Sequence, residues 1–528
     1  MSKASKKGDI PSSPTGKLGA GDADYLTSSI GLSNASAAKR KPRWKDSGFA
    51  KFINEENHLK ALGIYLEHFF DKTQLKANGQ GAQQDLTILK HLLLRDIERI
   101  IADIDLIVIE VVNKLIHHPS FQNLESRWRG LWSLVLAADG HRNMRVRMLD
   151  ISKRECARDL ERAIEFDQSQ LFNKIYNEAY GIAGGEPFGL IVTDFSVQHK
   201  PGKIDDINLM RSLAEVGAAA FTPIVVNVDP QLFGLNDHSE LTSLVDVHAL
   251  FQQSEYQSFR TLRRSLDTRF LVLTLPRVLM RERYRSVRKS FNGLSFEECC
   301  TSHEHYLWGA ASYALGVIAL REFAAAGWFG HIRGAPQNKI AGGLVSHVIP
   351  ERFYVDDKLQ IIRPITELRL SDTMERKLSA EGLMPLIASR ESPYAVFYNN
   401  STLWDASSAS GSTNYDDATL SGMLQHVLCA SRVAHYVKVI IRDKIGSFSS
   451  ADECERALGE WIYQYTTGNE DLGWEEQARY PLKKAEVQVR EQASKPGQYS
   501  CIMRLMPHYQ ADEMRAELEL VTELVQGS

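Results

Sequence analysis

Apolar and polar residues alternate with period two in three segments near the end of the chain. These segments are Lys484–Glu491, Tyr499–Met506 and Glu517–Leu524. Period two is typical of β-strands with one buried face. Lys495-Pro496-Gly497 separates the first two segments and predicts a turn, because Pro fixes φ and Gly tolerates positive φ. The sequence therefore predicts a terminal β-ribbon.

A terminal ribbon leaves strand edges whose backbone groups need partners. Such edges are covered by the protein itself, or they recruit a strand from another chain. We predict intersubunit pairing, with these candidate contact residues: Ala485, Val487, Val489, Tyr499, Ile502, Leu518, Leu520 and Leu524.

The middle of the chain alternates strand-like and helix-like patterns. Strands are predicted at Met144–Leu149, Leu190–Val192, Pro223–Asn227, Phe270–Leu275 and Ile362–Leu370. Helices are predicted at Phe52–Phe70, Asp85–Leu115, Gln122–Ala137, Leu160–Tyr180, Ile207–Ala220, Leu307–Phe323, Leu420–Asp443 and Ala451–Tyr465. Strands separated by helices indicate an α/β layer. The predicted fold class is mixed α/β in several domains, with a C-terminal α+β domain that ends in the ribbon.

Changes of composition predict four segments. Residues 1–48 form a basic tail that is too poor in large apolar residues to fold, and 49–84 a helical segment. An α/β core follows over 85–398, and the C-terminal α+β domain over 399–528.

Overall composition is that of an ordinary soluble protein. Of the 528 residues 43% are hydrophobic and 24% charged, and the net charge of −4 gives no reason to expect nucleic acid as a partner. No apolar run approaches the roughly 20 residues that span a bilayer, and no signal peptide is evident. The six cysteines form no CxxC pair. We therefore predict a cytoplasmic protein with reduced thiols and no membrane insertion.

Three features resemble functional sites, and a structural interpretation is favoured for each. The glycine-rich stretch Gly181–Gly189 precedes a strand, whereas phosphate loops lie between a strand and a helix. His303-Glu304-His305 could hold a metal if extended, but a polar helix start is the favoured interpretation. Cys299-Cys300 is interpreted as a pair of buried thiols. No catalytic, metal or cofactor-binding residue is predicted.

A basic run follows the predicted strand at Phe270–Leu275. It contains Arg277, Arg281, Arg283, Arg285 and Arg288. A solvated or salt-bridged face is the favoured interpretation, ahead of a charged subunit interface. Nucleic-acid binding ranks third, because stacking aromatic residues are sparse here.

Several collinear motifs resemble the large sheath subunit of bacterial type VI secretion systems, the TssC/VipB family. The most extensive motif runs from Ile116 to Leu131 and reads IHHPSFQNLESRWRGL. Further matches are Pro187–Leu190, Leu273–Arg277, Leu307–Ala311, Ser431–Tyr436, Arg442–Phe448, Ala478–Leu482 and Leu505–Gln510. Together they cover residues 85–524.

The resemblance implies a structural role. A large sheath subunit of this family pairs with a small TssB/VipA-like subunit, and the pairs and further copies stack as a helical tube around an Hcp inner tube on a baseplate. Contraction propels the inner tube, and a ClpV-like AAA+ unfoldase recycles the sheath. The innermost sheet of the sheath contains C-terminal strands of the large subunit, which is similar to the ribbon predicted here from periodicity.

The sequence departs from the family before residue 85, so the unfoldase site of the family is not mapped onto this chain. Two other hypotheses remain open from the residues alone. One is an adaptor or baseplate-like binding protein that does not polymerise. The other is a metal-dependent hydrolase that uses His303, Glu304 and His305.

Overall fold

The computed structural model describes most of the chain from residue 51 onward. The described residues are 51–52, 54–68, 82–182, 184–199, 202, 204–285, 294, 296–336, 339–348, 350–356, 358–361, 363–389, 392–408, 415–443, 451–469, 473–491, 499–508 and 518–524. The predicted tail over 1–48 and the predicted turn at Lys495–Gly497 lie outside them. The chain divides into two compact units: residues 1–118 with 284–299, and residues 119–283 with 300–528.

The first unit is built from helices α1 (His58–His68) and α2 (Ala82–Ile116). Tyr65 of α1 is buried against one face of α2, in a cluster with Leu92, Leu93, Ile97 and Ile100. The hydroxyl of Tyr65 also donates a hydrogen bond to Asp96 Oδ2 at 2.8 Å. Leu93, Ile97 and Ile100, spaced by three and four residues, thus form one covered face of α2. The helix begins at Ala82, three residues before the predicted start at Asp85.

The second unit holds the remaining elements. Up to the parallel sheet these are α3 (Pro119–Ala138), α4 (Lys153–Arg162), β1 (Ile191–Val197), α5 (Asp206–Ala220), β2 (Ile224–Val228), α6 (Val247–Gln252), α7 (Gln257–Arg263) and β3 (Leu271–Leu275). Next come β4 (Val278–Leu279), β5 (Trp308–Gly309), α8 (Ala311–Ala326), β6 (Leu344–Val345), β7 (Arg352–Val355), β8 (Lys358–Ile361), α9 (Asp372–Ala380), β9 (Leu383–Pro385), β10 (Ile387–Ala388) and β11 (Ala395–Val396). The C-terminal part contains α10 (Tyr415–Ser421), α11 (Leu424–Asp443), α12 (Ala451–Tyr463), α13 (Trp474–Arg479), β12 (Leu482–Glu491), β13 (Tyr499–Pro507) and β14 (Leu518–Leu524).

A four-stranded parallel sheet forms the centre of the second unit. Its strand order is β1-β2-β3-β9. Val226 of β2 belongs to the core that contains Met210 and Leu213 of α5, whereas its neighbour Val225 belongs to the core that contains Leu315 and Ile318 of α8. Because successive side chains of a strand point to opposite faces, both faces of the sheet are covered by helices. The predicted α/β layer is confirmed.

One buried side chain ties three strands of this sheet to helix α8. Asn227 donates through Nδ2 to the carbonyl oxygen of Thr193 at 3.1 Å, and its Oδ1 accepts from Thr274 Oγ1 at 2.9 Å and from the amide of Ser312 at 3.1 Å. A buried amide group is costly unless it is hydrogen-bonded, so this network favours one alignment of the layer.

Three predicted elements are wrong, and the start of a fourth lies later than predicted. Met144–Leu149 has no strand partner among the described residues, and the region predicted as one helix over Leu160–Tyr180 breaks after Arg162 into short 3₁₀, α and π turns. The segment Ile362–Leu370 contributes a single bridge, Val278 to Thr366, instead of a strand. The helix predicted from Leu307 begins at Ala311, because Trp308–Gly309 pairs as a strand with β4. No helix among the described residues has the length and apolar character needed to cross a membrane.

Candidate assembly interface

The predicted terminal ribbon is an antiparallel sheet with the order β12-β13-β14. Strand β13 lies in the middle, since Met503 pairs with Val487 on one side and with Leu520 on the other. The alternation that predicted β12 also gives its buried face, since Ala485 and Val489 are buried. What the sequence did not reveal is that all three strands pair within one chain.

One face of this sheet packs on helices α11 and α12. The shared core contains Val433 and Val437 of α11, Leu458 and Ile462 of α12, and the strand residues Leu482, Ala485, Val489, Cys501, Met503 and Leu505. Burial in this core raises the pKa of the Cys501 thiol to about 12, so the thiol stays protonated. The sheet is thus part of a folded C-terminal domain.

The candidate contact residues lie in three different settings. Ala485 and Val489 are buried, with 4% and 7% of their surface exposed, and Val487 is partly buried against the same core. Ile502 lies at a register position of the opposite face, between Gln488 and Val521. The remaining positions are defined by register, with Tyr499 opposite Leu524, Leu518 opposite Leu505, and Leu520 opposite Met503. That these residues contact neighbouring subunits stays a prediction.

The second face of the sheet carries charged residues in register. Glu486 lies opposite Arg504, which lies opposite Glu519 on the next strand. Lys484 Nζ is 2.5 Å from Glu486 Oε1, and the hydrogen bond from Lys484 together with the charges of Lys484 and Arg504 holds the pKa of Glu486 below its usual range. Alternating signs across strands favour this register.

The outer edge of β12 is occupied at both ends. At its start, Leu482 accepts from the amide of Thr467 at 3.0 Å and donates to the carbonyl oxygen of Tyr465 at 3.3 Å. Near its end, the amide of Val489 donates to Glu455 Oε2 of helix α12 at 2.9 Å. The outer edge of β14 is different, because within the described part of the chain no strand pairs with it.

Helix α11 also joins the C-terminal domain to the α/β layer. His435 Nε2 donates to the carbonyl oxygen of Ala220 at 2.9 Å, and Arg442 donates to the carbonyl oxygen of Tyr180 at 3.0 Å. Between them, Lys438 Nζ lies 4.5 Å from the centre of the Phe221 ring and 5.4 Å from that of Tyr176. We name the set His435, Lys438 and Arg442 the α11 seam.

Burial suppresses the charged forms of two residues in the α11 seam. It lowers the pKa of His435 to about 4, assisted by the nearby positive charges of Lys438 and Arg432, although the hydrogen bond to Ala220 acts in the opposite direction. It lowers the pKa of Lys438 to about 8. Among the described residues no carboxylate forms an ion pair with Lys438, so aromatic rings alone stabilise its ammonium group.

Replacing Lys438 by Met is expected to stabilise the protein by about 2 to 3 kcal/mol at pH 7. A pKa shift of one unit corresponds to about 1.4 kcal/mol, and the lost cation–π contact offsets about 1 kcal/mol of the gain. Burial depresses the pKa of Lys438 from 10.5 to about 8, so the cost of burying the charged ammonium group disappears as the pH rises from 8 to 10.5. Over this range the wild-type protein should therefore gain stability relative to the variant. Thermal unfolding of both proteins from pH 7 to 10.5 checks this, and a constant difference in melting temperature would contradict it.

The segment proposed for a metal does not bring its three residues together. His303 Nδ1 lies 2.8 Å from Arg363 Nη1, and its Nε2 lies 3.6 Å from Glu367 Oε1. His305 Nδ1 accepts instead from the Thr301 amide at 3.3 Å. Residues 303–305 form a 3₁₀ turn, in which the two imidazoles have separate surroundings.

The basic run is largely salt-bridged, as the favoured interpretation expected. Arg277 pairs with Glu367, Arg281 with Glu125, and Arg283 with Glu351. The expectation of two buried thiols at Cys299 and Cys300 is wrong, since Cys299 is exposed and Cys300 half-buried.

Helix α3 presents a large apolar stripe to solvent. Its inner face lies close to α8, where a Cβ added at Gly130 would be 2.5 Å from the Tyr313 ring. Its outer face exposes Leu124, Trp128, Trp132 and Leu136, spaced by four residues, with 58% and 66% of the two tryptophans exposed. Exposed apolar surface of this size is typical of proteins that work in assemblies.

Helix α2 of the first unit shows a second exposed apolar row. Leu94, Ile101, Val108 and Leu115 recur every seven residues and are all exposed. A row with this period is typical of helices that pair with another helix.

Two sequence families match the chain. The EvpB/VC_A0108 tail sheath N-terminal domain matches residues 98–404, and the EvpB/VC_A0108 tail sheath gpW/gp25-like domain matches residues 413–524. In addition, the type VI secretion system sheath protein TssC1 of Pseudomonas aeruginosa is 34% identical over 464 residues, which cover 86% of this chain and 91% of that protein.

The α/β layer, the C-terminal domain with its strand edge, and these matches define a tail sheath subunit. More specifically, the chain belongs to the TssC/VipB family of type VI secretion sheath proteins. The resemblance found from the motifs is confirmed. The predicted domain boundaries stay a prediction.

Proposed function

We propose that this chain is the large subunit of a contractile sheath that polymerises with a small TssB/VipA-like subunit around an Hcp-like tube in the cytoplasm. The single observation that carries the proposal is the terminal sheet, which is anchored in a folded domain and whose outer strand, β14, pairs with β13 on one side and with no strand of the described chain on the other. Such an edge can accept a strand of another subunit by backbone pairing.

The function requires strong, repeatable links between subunits. Each backbone hydrogen bond contributes about 1 kcal/mol net, so a strand of several residues forms a substantial link. Links that join different surfaces of successive subunits do not close, and they generate a helical tube. Contraction then follows as a rigid-body rearrangement of the lattice, driven by energy stored at assembly.

The exposed apolar faces of α2 and α3 support the same role. A chain that worked alone would leave Trp128, Trp132 and Ile101 in water. In a sheath these faces are available for further contacts with the small subunit or with copies of the chain. A baseplate and a ClpV-like AAA+ unfoldase are proposed as additional partners.

Co-expression with the small subunit from the same gene cluster tests the proposal. We expect tubes in negative-stain electron micrographs, and a complex that pellets in the ultracentrifuge with both subunits in equal amounts. A soluble complex of fixed small size would instead indicate an adaptor or baseplate-like protein. Stoichiometric zinc in the purified chain, lost on mutation of His303 and His305, would indicate the hydrolase hypothesis.

A further inference from the structure

A groove of about 500 Å³ lies beside helix α5 in the second unit. Its apolar wall consists of Leu160 in the last turns of α4 and of Ile164 and Phe166, which follow that helix. Phe166 also contacts the buried ring of Phe172 edge to face, with 5.6 Å between the ring centres. Ile164 is 89% exposed. An open apolar wall beside a cavity of this size is typical of a binding site, and we name it the α5 groove.

Two carboxylates line the α5 groove. Glu215 lies on α5, one turn after Ser212, and Glu165 lies between Ile164 and Phe166. Within the described part of the chain, neither carboxylate forms an ion pair or accepts a hydrogen bond. Burial raises the pKa of Glu215, assisted by the charge of Asp267, whereas the charge of Arg211 acts in the opposite direction. The groove therefore favours an occupant that is both apolar and cationic.

One segment of this chain has that composition and precedes the described residues. Residues 39–45 read KRKPRWK and combine five basic side chains with Trp44. An indole ring and the methylene stems of Lys and Arg can cover an apolar wall, while the cationic ends of those stems pair with carboxylates at its rim. The residues that follow β14, 525–528, contain no basic side chain. Charge complementarity thus selects the segment 39–45.

We propose that the segment 39–45 of a neighbouring copy docks in the α5 groove. Its Trp44 covers Ile164 and Phe166, and the basic side chains on either side of Trp44 pair with the two carboxylates. The proposal goes beyond the sheath function and rests on it for the source of the segment, because successive copies are neighbours in a helical tube. Exposed ion pairs are individually weak, so this link can release and form again when the lattice rearranges.

Photo-crosslinking tests the docking and the source of the segment together. Two full-length versions of the chain are co-expressed with the small subunit. One carries the photoreactive amino acid p-benzoylphenylalanine in place of Trp44, and the other carries Gln168→Asn as a mass marker within the groove peptide 163–174.

After irradiation of the tubes, we expect crosslinks to marked and unmarked groove peptides in proportion to the two versions. Crosslinks to the unmarked peptide alone would overturn the neighbouring copy as the source of the segment. Tubes without a crosslink to residues 160–166 or 212–215 would overturn the docking itself. Absence of tubes from the wild-type chain would contradict the proposed function, and with it the neighbouring copy as the source.

Charge reversal on both sides separates a direct contact from a general loss of structure. The double variant Glu165→Lys and Glu215→Lys is expected to lower the crosslink yield roughly tenfold. The same loss is expected from Lys41→Glu with Arg43→Glu, which changes no residue of the described fold. All four changes combined should restore the yield to within about twofold of wild type, since the charges are again complementary.

Glu255→Lys is the matched control, because Glu255 is exposed on α5's side of the chain sequence but does not line the groove. It should leave the crosslink yield within about twofold of wild type. A yield that the tail variant does not lower, or that the combined variant does not restore, would overturn the pairing. Equal loss in Glu255→Lys would show a general effect of charge and would also overturn it.

Discussion

Replacing Glu367 by Ala is expected to destabilise the second unit by about 2 to 3 kcal/mol, below the range for a fully buried ion pair, because the Arg277 side chain is 50% exposed and can be solvated. The Glu367 side chain is 1% exposed. It accepts from Arg277 Nε at 2.9 Å and lies 3.0 Å from Nδ1 of the buried His238. Removing the carboxylate leaves both donors without their acceptor, and it separates the end of β3 from the 3₁₀ turn that contains His238.

The acid dependence of this contribution follows from the pKa of Glu367. Burial alone would raise that pKa, but the hydrogen bonds from Arg277, His238 and His303 and the charge of Arg277 hold it well below its usual value of 4.5. A depressed carboxyl pKa stabilises the folded state above the unfolded-state pKa, and this stabilisation is lost as the pH falls below it. As the pH falls below 4.5, the free energies of unfolding of wild type and of the Glu367→Ala variant should therefore converge.

Urea denaturation of both proteins at pH 7 and at pH 4 measures the effect. The Glu367→Gln variant serves as the control, because its amide oxygen still accepts one hydrogen bond, and it should lose less than Glu367→Ala. An alanine variant with wild-type stability at pH 7 would show that Arg277 and His238 find other acceptors.

Elements with a continuous apolar pattern could be predicted from the sequence. Strands β2 and β3 and helix α5 lie within one or two residues of their predicted bounds. The apolar residues of each element are continuous or periodic, so their pattern marks where the element begins and ends. The same reasoning failed at Met144–Leu149, where the alternating residues are mostly exposed and no neighbouring strand is available. It failed again after Arg162, where aromatic residues pack on irregular turns with no helical period.

The candidate interface could be predicted only in part. Period two gave the strands and their faces, but Val489 and Ala485 proved to be buried by helices of the same chain, which a pattern within one strand cannot reveal. The contact between Glu455 and Val489 joins residues 34 positions apart, and that between Arg277 and Glu367 joins residues 90 apart. Contacts of this kind depend on how helices and strands pack against one another, so no local sequence pattern predicts them.

Replacing Val489 by Asp is expected to abolish sheath assembly by unfolding the C-terminal domain while the α/β layer stays folded. The side chain of Val489 is 7% exposed and belongs to the core shared with α11 and α12. A carboxylate there is buried without a cation and lies near Glu455, which accepts from the amide of residue 489. Burying an unpaired charge costs several kcal/mol, about the whole stability of a small domain.

Gln488→Asp is the matched control, because residue 488 lies one position away on the opposite, charged face of the sheet. Limited proteolysis should cleave Val489→Asp within residues 415–524 and leave the preceding α/β layer intact, and electron microscopy of the co-expressed complex should show no tubes. The control should assemble normally. Tubes of normal appearance from Val489→Asp would show that the terminal sheet is dispensable. A sheath that is linked through this sheet requires the C-terminal domain to be folded.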